Sequence, residues 1–414
     1  MSNALPGSSP ADRAASSKTE LTAADMLRFG GAALICAALL AGAYLLQTTP
    51  GRGASAALSL LLGAALGVAF ERGRFCFFCI FRDFIEQRNA GPLYAILMAL
   101  AVSGIGYAIV FGAFLPNPAS GRLAPDAHIG PVSPALVVAG LVFGLGMALS
   151  GACISGHLYR LGEGSGYAPL ALAGSLIGFG LGFGTWNWLY VTVIADAPVV
   201  WLPRWIGYGG SLLLHLAILS VLALALLRHV PLLPSHPTRQ IDITYLREVI
   251  FRDRWNPLVT GALVGIIGVV AYLRVEPLGV TSQLGSITRT VMDRAGWLPA
   301  RLNGLDSFAG CATQVVQTIT DNGWLIAGLA LGSFGAALLA GRFQPALPRV
   351  GGSMTALLGG VLMGWGAMTA LGCTVGTLLS GIAAFALSGW VFGAAVFAGV
   401  WCGIALRLHR WTQG

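Results

Sequence analysis

Long uncharged apolar runs alternate along this chain with short polar segments that hold nearly all of its basic residues. The runs fall at about 29–47, 54–70, 92–114, 134–152, 167–190, 208–227, 257–273, 323–341, 352–370 and 385–406. Each is roughly 17–24 residues, enough for a helix to cross the hydrocarbon core of a bilayer. Glycine-rich stretches such as Gly174 to Gly184 would be poor helices in water. In lipid the backbone must satisfy its own hydrogen bonds, so helix remains the expectation there too. The pattern predicts an all-α polytopic membrane protein of about ten transmembrane helices.

Composition narrows the class further. Apolar residues make up 56% of the 414 residues and charged residues 10%, with a mean hydropathy of +0.77. A soluble domain of this length needs far more charge to cover its surface. The 58 glycines point the same way, because small residues let transmembrane helices approach closely. Residues 1–25 read as a disordered cytoplasmic tail. They do not form a signal peptide, since no basic stretch leads directly into an apolar core.

The net charge of +8 comes from arginines scattered through short loops, a distribution set by membrane orientation rather than by nucleic acid. Arg28 precedes the first run, and Arg72, Arg74, Arg82 and Arg88 follow the second. Arg228 to Arg254 follow the sixth, Arg342 and Arg349 the eighth, and Arg407 and Arg410 close the chain. With ten spans all these segments are cytoplasmic, and so are both termini of a multi-pass protein of the cell inner membrane. The chain then divides into an N-terminal transmembrane half (26–227), a cytoplasmic linker (228–256) and a C-terminal transmembrane half (257–414). The segment 274–322 dissents, since it carries four arginines on the outer side. Its short apolar piece, Leu305 to Val316, marks it as partly re-entrant.

The chain also repeats itself. Shifted by 220 residues, Gly140 to Leu158 aligns without a gap on Gly360 to Leu378, with four glycines, one leucine and the cysteine pair Cys153/Cys373 identical. A weaker match pairs Gly63 to Gly67 with Gly261 to Gly265. The partners are the second span with the seventh and the fourth with the ninth. Partners five spans apart cross in opposite directions, which is the inverted repeat of many secondary transporters. In such proteins the substrate site lies near the midplane, where the repeats meet.

Three cysteine segments carry the candidate chemistry. They are Arg74-Phe-Cys76-Phe-Phe-Cys79-Ile-Phe-Arg82-Asp83, Gly151-Ala-Cys153-Ile-Ser-Gly156 and Gly372-Cys373-Thr-Val-Gly376. In the last two a glycine follows the cysteine by three residues, as a broken or re-entrant helix requires. A neutral thiol is a weak donor, soft enough to sit beside another sulfur, and it suits a small sulfur-containing anion. A fixed arginine at midplane would hold a dianion too strongly, whereas conduction needs several sites of modest strength. Cys76, Cys153 and Cys373 would form such a series. His157, four residues after Cys153, either polarises that thiol or caps a loop. Arg82 with Asp83 reads as an internal ion pair. Cys36 and Cys402, in plain apolar spans, read as packing residues.

Seven cysteines are an odd number, and their apolar settings favour reduced thiols over a disulfide framework. Cys76 and Cys79 lack the second pair of ligands that a zinc site needs. A redox dithiol there would lack a thioredoxin context. No metal or cofactor is implied.

At these residues the chain resembles the YeeE/YedE family of sulfur-transport membrane proteins, from about residue 54 to the C-terminus. The marks are Arg74-Phe-Cys76 running into Phe81-Arg82-Asp83, the Gly144, Gly146 and Met147 segment leading to Cys153 and Gly156, and Gly372-Cys373-Thr-Val-Gly376. The resemblance implies thiosulfate as cargo, passed between Cys76, Cys153 and Cys373 through S–H···S hydrogen bonds. It implies Cys311 as a further station and leaves Cys79 unassigned, because the family pattern often has a small residue there. It also marks the first span as an addition.

Two rival readings stay open. One is transport of another sulfur or selenium species, feeding a cytoplasmic sulfurtransferase-like protein. The other is a membrane sulfurtransferase carrying persulfide on Cys76 or Cys79. The longest cytoplasmic loop, about 29 residues, leaves no room for a soluble catalytic domain, which favours transport over an enzyme. No nucleotide-binding motif or mid-span carboxylate indicates how transport is energised.

Overall fold

The computed structural model describes residues 23–51, 53–230, 252–308 and 313–410. Most of the expected tail, the middle of the linker and Cys311 lie outside these residues. The architecture is all-α, with ten helices long and apolar enough to cross a membrane. They are α1 (Ala23–Gln47), α2 (Gly53–Gly73), α4 (Leu93–Phe114), α5 (Pro134–Ser150), α7 (Tyr167–Leu189), α8 (Pro203–Leu226), α9 (Pro257–Arg274), α11 (Asp321–Ala340), α12 (Val350–Thr369) and α14 (Leu387–Ala405). Four shorter helices follow breaks: α3 (Phe77–Gln87), α6 (Ile154–Gly162), α10 (Ser282–Arg294) and α13 (Thr374–Ala383).

The breaks have local causes. α5 begins at Ser133, whose hydroxyl accepts from the Leu136 N–H, with Pro134 in the first turn. It ends at Gly151, whose φ of 83° only glycine adopts without strain. α12 ends at the equivalent place with Leu371 at φ 57°, and Arg74 sits at φ 48° between α2 and α3. A left-handed leucine or arginine costs conformational energy and persists only where the surroundings over-determine it. Each of these three breaks delivers a cysteine to the next residue or two: Cys76, Cys153 and Cys373.

The packing obeys the inverted repeat. α2 lies against α11 as α4 lies against α9, and α7 lies against α12 as α5 lies against α14. α5 and α12, the spans that align in sequence, pack on each other at the centre. The glycines that scored the alignment are where backbones touch. A methyl on Gly63 would lie 2.1 Å from the Leu325 carbonyl oxygen, and one on Gly261 would lie 2.1 Å from that of Ala95. α1 rests against α2 and α11, and α8, its counterpart five spans later, rests against α4.

Among the described residues of 274–322 the helix is α10, and Leu305–Ser307 is a single turn; part of the apolar piece Leu305 to Val316 lies outside the described residues. α10 escapes an apolar scan because its buried positions are Ser282, Gln283, Gly285, Ser286, Thr288 and Thr290. Its hidden face is polar and turns toward the protein interior.

Both ends of the described chain lie on one face, as an even number of crossings requires. Arg28, near the start of α1, packs on Gly341 at the end of α11. His409 Nε2 lies 3.0 Å from Glu86 Oε1 on α3. On the same face Glu71, fully buried, meets Arg342 Nη1 at 2.7 Å, Arg72 Nε at 3.5 Å and Arg254 Nη1 at 3.6 Å. Removing one partner from such a cluster leaves a buried charge uncompensated, typically at a cost of about 3–5 kcal/mol. The cluster therefore fixes the ends of α2 and α11 beside the segment that leads into α9.

Candidate functional site

The breaks bring three thiols together. Cys76 caps the start of α3 with an extended backbone, its N–H donating to the Arg74 carbonyl at 2.8 Å. Phe75, Phe77 and Phe78 surround it, each buried to 1% exposure or less, so the thiol is dry. Phe75 stacks on Phe70 at 5.3 Å and meets Phe77 edge-on at 5.5 Å, which fixes the turn that presents Cys76. Cys153 caps the start of α6, and its sulfur accepts the Gly156 N–H at 3.3 Å. The Cys76 and Cys153 sulfurs lie 3.9 Å apart, and the Ser155 hydroxyl lies 3.3 Å from Cys153 Sγ.

Gly156 makes this approach possible. A Cβ there would sit 2.8 Å from Cys76 Sγ and 3.2 Å from Cys153 Sγ. Gly156→Ala is therefore expected to drive the two thiols apart and to cut transport by up to about a hundredfold, the rate cost of a misplacement near 1 Å. Thermal stability of the purified variant, measured beside its transport rate, separates this effect from general unfolding. A variant that transports at the wild-type rate would show that the contact is dispensable.

Cys79 neighbours the Cys76 thiol one turn along α3. Its sulfur accepts Arg160 Nη2 at 3.0 Å, while Arg160 Nη1 donates to the Gly151 carbonyl at 3.0 Å. One guanidinium, which the sequence did not single out, thus reaches the thiol beside Cys76. Arg160 was legible only as the residue seven places after Cys153, on the same face of α6. Arg82 Nη2 binds Asp83 Oδ1 at 2.8 Å, the internal ion pair expected from sequence. His157 makes no bond to Cys153 Sγ, and both its ring nitrogens are buried without a partner. Cys36 is exposed and Cys402 partly so, away from the cluster.

Cys373 is fully buried at the pseudo-symmetric break, and among the described residues no sulfur–sulfur contact joins it to Cys153. Thr281, at the head of α10, lies beside it where the repeat places Cys76 beside Cys153. The Thr281 hydroxyl faces the Cys373 thiol, and among the described residues the buried hydroxyls of Thr369 and Thr374 have no hydrogen-bond partner. Thr369 also lines a narrow cavity shared with His128, Trp186 and Thr377, opposite the face that holds the chain ends. Burial pushes the His128 imidazole down to about 4, so this histidine is neutral at physiological pH. The sequence reading missed Thr281, because the repeat offset of 220 carries Cys76 onto Gly296 and the offset of the Gly63/Gly261 match carries it onto Arg274.

An inverted repeat of apolar helices, broken at its centre by buried thiols, defines a multi-pass membrane protein built to move a small solute. The family model for sulphur transport matches residues 72–402, and the chain belongs to that family. The chain is 28% identical over 371 residues to the thiosulfate transporter TsuA of Escherichia coli strain K12, covering 83% of this chain and 92% of the relative. It is 29% identical over 359 residues to the TsuA of Spirochaeta thermophila, covering 83% and 96%. The probable transporter YedE of Escherichia coli strain K12 matches at 29% over 168 residues, 40% of this chain and 39% of the relative.

Proposed function

We propose that this protein takes up thiosulfate across the cytoplasmic membrane by handing the anion between the thiols of Cys373, Cys153 and Cys76. No covalent bond forms, and the protein is a transporter rather than an enzyme. The observation that carries this reading is the 3.9 Å approach of Cys76 and Cys153 at the heads of two broken helices. Thiosulfate has one soft sulfur and three oxygens. The thiols suit the sulfur, and the buried hydroxyls of Thr281, beside Cys373, and of neighbouring Thr374 suit the oxygens. Weak neutral donors in series let the anion leave each station as readily as it arrives. The similarity to the two thiosulfate transporters supports the same cargo.

In this reading the face with both chain ends is cytoplasmic, and a sulfurtransferase-like protein there receives the cargo. The test is uptake of labelled thiosulfate by proteoliposomes of the purified protein against protein-free liposomes, together with reporter fusions after Leu227 and at the C-terminus. Accumulation above the control and a cytoplasmic signal from both fusions are expected. Absent uptake rejects the function, and disagreeing fusions reject the orientation.

A further inference from the structure

The thiol series extends beyond Cys76. Cys79 borders a cavity of about 230 Å³ on the face that holds both chain ends, lined also by Arg74, Asp83, Arg254 and Trp255. One thiol thus neighbours both the dry cluster and an opening with a strongly basic rim. Arg160 is held by the Gly151 carbonyl and points its other nitrogen at Cys79 Sγ, 3.0 Å away. Arg74 is aimed by a left-handed backbone, φ 48°, that a large side chain adopts only when held there. The carboxylate on the rim, Asp83, is already paired with Arg82. Arg254 is shared with Glu71 at 3.6 Å and with Glu163 at 3.9 Å.

We infer that Cys79, Arg160, Arg74 and Arg254 form a discharge site for the sulfur anion at the inner end of the path. The inference rests on the proposed thiosulfate relay and adds a station of different chemistry to it. Along Cys373, Cys153 and Cys76 the donors are neutral, so an anion gains little by moving from one to the next. A permanent guanidinium beside the last thiol gives the transfer a direction, because Coulomb attraction is strong in a dry setting and weak in water. The cavity supplies the water. Arg74 is exposed and the Arg254 side chain is 37% exposed, so their charges draw the anion outward and are screened enough to release it. Thiosulfate leaves intact, exchanging its sulfur contact at Cys79 and its oxygen contacts at the guanidiniums for water.

Labelled thiosulfate flux in right-side-out and inside-out vesicles tests this. In Cys79→Ala and in Arg74→Gln, half-saturation from the cytoplasmic side is expected to rise about tenfold, the equivalent of roughly 1.4 kcal/mol of lost binding. Half-saturation from the opposite side should stay within about twofold, because the other end of the path is untouched. Arg74→Lys, which keeps the charge, should restore most of the cytoplasmic-side affinity. Arg74 is exposed, so its variants keep the test decisive even if Cys79→Ala does not accumulate. Equal shifts on both sides, or none on either, overturn the discharge site. Loss of flux in Cys153→Ala alongside unshifted Arg74 and Cys79 variants would remove this site and leave the relay standing. Normal flux in Cys153→Ala would remove the relay itself.

Discussion

Cys153→Ala is expected to lose thiosulfate uptake by about a hundredfold or more while accumulating in the membrane at the wild-type level. The sulfur it removes touches the Cys76 sulfur at 3.9 Å, the Ser155 hydroxyl at 3.3 Å and the Gly156 N–H at 3.3 Å. Alanine leaves a gap of one sulfur atom beside the buried Phe75, Phe77 and Phe78, where on the proposed relay a doubly charged anion finds no substitute donor. An anion left unsatisfied in a dry passage costs several kcal/mol, and about 1.4 kcal/mol is already tenfold in rate. The packing loss is small by comparison, of the order of 1 kcal/mol for one buried atom. Cys373→Ala is expected to behave in the same way, whereas Cys36→Ala and Cys402→Ala should transport normally, since those side chains lie outside the cluster. Initial rates of labelled thiosulfate uptake, normalised to protein in the membrane, decide the matter. Wild-type rates in both Cys153→Ala and Cys373→Ala would end the relay.

The ten spans were legible because lipid enforces them. An apolar run of sufficient length has no low-energy alternative to a helix, and the structure places α4, α9 and α11 within two residues of the runs that announced them. The repeat was legible for a related reason: Gly144 and Gly364 recur because backbones touch there, and a close approach between helices admits little else. Cys76 and Cys153 stood out because each follows a break that glycine or a strained residue creates.

What escaped has a common character. α10 buries serine, threonine and glutamine against the protein interior, so it offers no apolar period to find. Arg160 sits on α6, and its buried setting comes from the Gly151 carbonyl and the Cys79 thiol, neither of which is its sequence neighbour. A rule against fixed charge treated the membrane as uniform, whereas Arg160 stands at Cys79, which borders the cavity on the face that holds the chain ends. The role of Cys79 stayed open in the sequence, because its neighbours Arg160 and the basic cavity come from distant segments.

Sulfate in hundredfold excess is expected to leave thiosulfate uptake nearly unchanged, and Cys373→Ser is expected to weaken uptake even though serine keeps a donor of similar size. Sulfate and thiosulfate share a double negative charge and a tetrahedral shape, so a site lined only by guanidiniums would struggle to separate them. They differ in one atom. The terminal sulfur of thiosulfate is larger, more polarisable and less tightly hydrated than an oxygen, so a thiol beside it takes over from water at little cost. The matching oxygen of sulfate gives up strong hydration and receives a weak S–H donor in return. On the proposed relay, the buried hydroxyls of Thr281, beside Cys373, and of neighbouring Thr374 serve oxygens common to both anions, which leaves the thiol to read the remaining position. A site with one mismatched partner in a dry setting can discriminate strongly. Serine at position 373 should shift that position toward oxygen, so the variant loses affinity for thiosulfate and becomes measurably sensitive to sulfate. Competition by sulfate and by a sulfur-containing analogue, measured against labelled thiosulfate in vesicles, reads both effects. Equal inhibition of the wild-type protein by sulfate and by the analogue would mean that the passage reads charge and shape alone, and the thiols would then lose their proposed role in choosing the cargo.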